Sequence, residues 1–98
     1  MALKEFLIRP VHAKWFELSQ ADWPLVMHPN TVPYRAVSGW GNYRITVDGV
    51  EISFSDEDPG IQVTFYGELP ADVTDSIVKQ IVANIKDRTG EESRIVEL

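Results

Sequence analysis

Cysteine is absent from the 98 residues. That absence excludes structural disulfides, thiolate-bound zinc and a cysteine nucleophile. Long hydrophobic runs are missing as well, so no segment has the length of a transmembrane helix. The chain opens Met1-Ala2-Leu3-Lys4-Glu5 without the basic and apolar regions of a signal peptide. A soluble, cytoplasmic protein is the expectation. Basic side chains are lacking in one place above all. Between Asp48 and Asp75 stand eight acids (Asp48, Glu51, Asp56, Glu57, Asp58, Glu68, Asp72 and Asp75) and not one lysine or arginine.

Acidic charge dominates the balance. The net charge is −6, made of +1 over residues 1–41 and −7 over residues 42–98. No basic stripe exists to displace counterions from a phosphate backbone, which argues against nucleic acid as a partner. A field of one sign on a small domain instead repels phosphate and attracts basic surfaces. With 44% hydrophobic and 24% charged residues the composition is that of an ordinary globular domain. Its length suits one domain, 1–98.

From Asn42 onward the patterning is periodic. Tyr43, Ile45 and Val47 alternate with Arg44 and Thr46, as in a strand with one buried face. Asp48-Gly49 then reads as a two-residue hairpin turn, and Val50, Ile52 and Phe54 return inward. Residues 56–60, Asp-Glu-Asp-Pro-Gly, are turn-formers, followed by a third strand with Ile61, Val63 and Phe65 on one face. Over 71–88, Val73, Ile77, Val78, Ile81, Val82 and Ile85 make the stripe of an amphipathic helix. Pro70 and Asp72 suit its start, while Lys86, Arg88 and Gly90 suit its end. Residues 93–98 read as a closing strand, with a right-handed crossover if it lies parallel in the same sheet.

The fold class expected is therefore α+β: a three-stranded antiparallel meander packed on one amphipathic helix, with a C-terminal strand. Residues 42–98 form the β-β-β-α-β core. Residues 1–41 form an irregular, aromatic-rich covering segment, in which Phe6 to Ile8 could be a short strand and Ser19 to Asp22 a helical turn. Pro24, Pro29 and Pro33 prevent a long helix there. Trp15, Phe16, Trp23, Tyr34 and Trp40 are expected to hold this segment on the sheet.

Catalytic patterns are sparse. His12 and His28 lie sixteen residues apart in the least regular region, without metal-ligand spacing. An enzyme using either histidine is the least favoured reading. Ser38-Gly39-Trp40-Gly41 puts its serine outside the glycine pair, so it is no nucleophile elbow. The consecutive acids Asp56-Glu57-Asp58 lack the alternation and central glycine of a calcium loop. Gly39 and Gly41 precede a strand rather than a helix, so they cradle no phosphate. No cofactor is expected.

What remains is recognition. The expected function is a small acidic protein-binding module, of the inhibitor or immunity type, whose partner is a basic protein. The residues expected to carry it are Glu51, Asp56, Glu57, Asp58 and Glu68, with Trp40 and Tyr66 as aromatic anchors. The alternative is a homo-oligomeric accessory protein, paired through its closing strand or an open sheet edge.

Overall fold

The computed structural model describes residues 3–12, 15–57 and 60–98. Six strands form one antiparallel sheet: β1 (Leu3–Pro10), β2 (Arg35–Ala36), β3 (Tyr43–Val47), β4 (Val50–Glu57), β5 (Gly60–Tyr66) and β6 (Ser93–Glu97). Their spatial order is β2-β3-β4-β5-β1-β6. A single helical turn, α1 (Trp23–Val26), follows a 3-10 turn at Gln20–Asp22, and the long helix α2 (Ala71–Thr89) joins β5 to β6.

The expected meander is present as β3-β4-β5, but it is half of a larger sheet. The Asp48-Gly49 turn has φ of 49° and 80°, as the two-residue hairpin requires. Its register pairs Val47 with Val50 and Ile45 with Ile52. The segment 1–41, expected to be irregular apart from a short strand at Phe6 to Ile8, supplies an interior strand of eight residues there. β1 lies between β5 and β6, pairing Phe6 with Val63 and Ile8 with Ile61. Hydrophobicity explains the insertion: Phe6 and Ile8 are buried beside Val63 and Ile61, an alternation that a loose covering segment could not satisfy. Pro10 is tolerated because Gly60, the first residue of β5, stands opposite Arg9, one step before it.

The closing strand also differs from a parallel crossover. β6 runs antiparallel to β1, pairing Leu7 with Val96 and Arg9 with Arg94.

Cross-strand partners share a face of the sheet, and both helices cover the face bearing Ile8, Ile45, Ile52, Phe54, Val63 and Phe65. Ile77, Val78, Ile81 and Ile85 of α2 are buried there, with Val73 and Val82 packed at the margin. Pro70 stands just outside α2, its carbonyl accepting from the N–H groups of Val73 and Thr74. Asp72 lies in the first turn without making a side-chain cap, and Gly90 ends the helix at φ 78°.

Of the aromatic residues expected to hold the first segment down, Trp23 does so, buried with Val26 and Met27 in the core. Phe16 is half-buried, whereas Trp15, Tyr34 and Trp40 are exposed. Asn84 fastens α1 to α2, donating to the carbonyls of Val26 (2.9 Å) and His28 (3.0 Å). No helix among the described residues is long and apolar enough to cross a membrane.

Candidate functional site

The face of the sheet turned away from the helices is built around Arg44. Strand alternation points its side chain to that face, beside Thr46, Glu51, Ser53 and Tyr66. Its Nε donates to Glu51 Oε1 at 2.6 Å, and its Nη1 donates to the Trp40 carbonyl at 3.3 Å. The guanidinium lies 4.5 Å from the centre of the Tyr66 ring. Ser53 Oγ stands 3.4 Å from the Tyr66 hydroxyl. One side chain thus joins a carboxylate, an aromatic ring and a loop carbonyl, a geometry that the planar guanidinium suits and an ammonium does not.

The loop before β3 folds back on this platform. A Cβ on Gly39, which holds φ 151°, would stand 2.7 Å from Arg44 Cδ, so only glycine lets the loop approach so closely. The Asn42 N–H donates to the Phe54 carbonyl at 2.9 Å, and Asn42 Oδ1 accepts from the Asp56 N–H at 2.8 Å. With the Val37 N–H donating to the Arg44 carbonyl at 3.0 Å the loop is fixed at both ends, yet Trp40 stays open, 61% exposed. A large apolar ring exposed to water on a loop with a restrained backbone is a feature of recognition surfaces more than of cores.

The residues expected to act together are divided. Glu51, Tyr66 and Trp40 meet through Arg44. Asp56 and Glu57, both exposed, lie beside the loop through the Asn42 bond, with Glu57 also accepting from Ser55 Oγ at 2.9 Å. Glu68 is exposed beyond Tyr66, at the opposite end of β4 from Asp56. Asp58 lies outside the described residues.

Carboxylates do not crowd this face. Among the described strand positions it carries Glu5, Glu51 and Glu57 against Arg9, Arg35, Arg44 and Arg94. Other acids pair elsewhere: Asp75 with Lys79, Glu92 with Lys86, and Asp22 with Arg88.

Arg44 is the residue that sequence reasoning missed. The signal was available: the Asp48-Gly49 turn sets a register in which Arg44 is the diagonal neighbour of Glu51 on one face.

The histidines are apart from this site. His28 stacks on Tyr34 with ring centres 5.7 Å apart, and His12 is exposed just after β1. No group of three or more potential metal ligands occurs among the described residues. Among the described residues two titrations are displaced, neither of them at a residue of the 37–42 loop. Bonds from Ser19 and Arg88 hold the Asp22 carboxyl below its ordinary value, and burial pushes the Tyr43 phenol up. Comparison of the chain with protein-family models, curated proteins and solved structures finds no match in any of the three.

Proposed function

We propose that this protein is a small acidic protein-binding module, of the inhibitor or immunity type, that engages a basic partner through the Trp40 loop. The observation that supports this reading is an exposed tryptophan on a loop whose backbone Arg44 bonds at the Trp40 carbonyl, with the exposed Asp56 and Glu57 on the strand end bonded to Asn42 of the same loop. A loop whose backbone is already restrained loses less freedom on binding, so more of the indole's burial goes into affinity. Both side chains are exposed, so their carboxylates can meet lysine or arginine at the rim. The net charge of −6 adds attraction at longer range, which speeds encounter with a cationic protein.

The test is capture of partners from the native host on the immobilised protein, with wild type, Trp40→Ala and the double variant D56K/E57K compared. A basic protein should be retained by wild type, elute early in a salt gradient, and be lost from both variants. Retention that ignores salt and survives both changes would remove this reading. Neither variant should move the melting temperature much, because exposed side chains contribute little to folding.

A further inference from the structure

We infer that β6 is a self-pairing edge, through which two copies of this chain join their sheets about a two-fold axis at Ile95. This inference is independent of the Trp40 loop, which lies on the far side of β4, with β5 and β1 between it and β6. β6 is paired on one side only. Its inward bonds alternate: the Leu98 N–H donates to Glu5, and the Glu92 carbonyl accepts from Val11. In an antiparallel ladder that phase assigns residues 92, 94, 96 and 98 to β1, and it turns both backbone groups of Ser93, Ile95 and Glu97 out of the sheet.

A two-fold axis perpendicular to the sheet keeps the helices of both copies on one side, so facing residues must share a face. Centred on Ile95, it opposes Ile95 to its own copy, Ser93 to Glu97, and Arg94 to Val96. All the outward groups are then used, in about six hydrogen bonds. Centred on Val96 it makes only about four. Centred on Arg94 or Glu97 it sets like charges face to face, which destabilises a cross-strand pair. Charge and exposure favour the same choice. The chain carries −6, but β6 has one arginine and one glutamate and is neutral, so the edge itself adds no net repulsion between two copies. Ile95 and Val96 are 40% and 36% exposed, and no proline or bulge protects the edge.

Light scattering and sedimentation across a micromolar concentration series test this. Wild type should associate to a dimer. Ile95→Pro removes only an outward N–H and should yield a monomer whose melting temperature matches that of wild type at dilutions where wild type is monomeric. Val96→Pro, which removes a bond to β1, should lower that temperature instead. Register is read by cysteine pairing, unambiguous in a chain without cysteine. Arg94→Cys mixed with Val96→Cys should cross-link, because a non-bonded pair brings Cα atoms to about 4.5 Å. Arg94→Cys alone should not. A wild type that stays monomeric at every concentration, a dimer that survives Ile95→Pro, or cross-linking of Arg94→Cys with itself would each overturn the inference. The cross-linking result decides the matter even if the proline variants fail to fold.

Discussion

Asp22 and Arg88, 66 positions apart, meet at a single oxygen: Asp22 Oδ1 accepts from Arg88 Nε at 2.9 Å and from Nη2 at 2.7 Å. The other oxygen, Oδ2, accepts from the backbone N–H and the hydroxyl of Ser19 at 2.8 and 3.0 Å. A carboxylate so supplied with donors ties the 3-10 turn to the last turn of α2.

The pH dependence follows from those donors. The Ser19 N–H and the Arg88 guanidinium favour the ionised form, so Asp22 titrates below its ordinary value of 3.8 when the chain is folded. The unfolded chain then binds this proton more readily than the folded one. The stabilisation is complete above the ordinary value and is lost as pH falls through the lower, folded one. Asp22→Asn should melt below wild type at neutral pH, and the gap should close as the pH drops under that range. Melting curves from neutral to strongly acidic pH measure it; a gap that stays constant would rule out this linkage.

Asn84 closes the next turn of the same region. Its amide serves the carbonyls of Val26 and His28, both at the end of α1, while its own oxygen accepts from Gln80 at 3.0 Å. Asn84→Ala would leave the half-shielded His28 carbonyl without this donor and the Val26 carbonyl with the His28 N–H alone, a loss of about 1–2 kcal/mol. In a domain of this size each kcal/mol corresponds to about 4–8 °C in melting temperature. Amide exchange over 23–28 should rise in this variant before any change in the sheet.

The hairpin and α2 were legible because their signals are local. Asp48-Gly49 fixes a turn by its own torsions, and the spacing from Val73 to Ile85 fixes a helical face within one segment. Phe6 to Ile8 was legible as a short strand, but the full length of β1 and its place in the sheet were not, for a related reason. Phe6, Leu7 and Ile8 form one apolar run that matches several local structures, and the residues that make it a strand lie near the other end of the chain: Leu3 pairs with Tyr66, and Phe6 with both Val63 and Glu97. With β1 unplaced, the direction of β6 was open as well. The same holds within the site. Glu51, Tyr66 and Trp40 stood out by charge and size, but the arginine that joins them looked like an ordinary solvent-facing strand residue.

Gly60 offers a direct test of where β1 sits. A Cβ at this position would collide with the Ile8 carbonyl and crowd the backbone at Arg9. Those atoms belong to the neighbouring strand's main chain and cannot rotate away. Gly60→Ala should therefore push β1 from β5 and cost about 2–3 kcal/mol, the upper range for overpacking. Gly49→Ala has open space around it and should show only the penalty of its torsion. Denaturant unfolding of the two variants separates these cases. Equal losses would mean that the close approach of β1 to Gly60 is not what the glycine serves.

Arg44 carries the last prediction, because its contacts link stability to the shape of the recognition loop. Removing it deletes a charged bond to Glu51, a bond to the Trp40 carbonyl and the stacking on Tyr66. Partial exposure keeps the energetic loss small, about 1–2 kcal/mol for Arg44→Ala. The conformational effect should be larger. Without the guanidinium, Gly39 and Trp40 have no side chain behind them, and amide exchange over 38–42 should accelerate while β4 and β5 stay protected. Arg44→Lys should restore part of the stability through its charge but not the loop, since an ammonium cannot bond Glu51, bond the carbonyl and stack at once. If Arg44→Lys holds the loop amides as slow as wild type, charge rather than the planar fork positions Trp40.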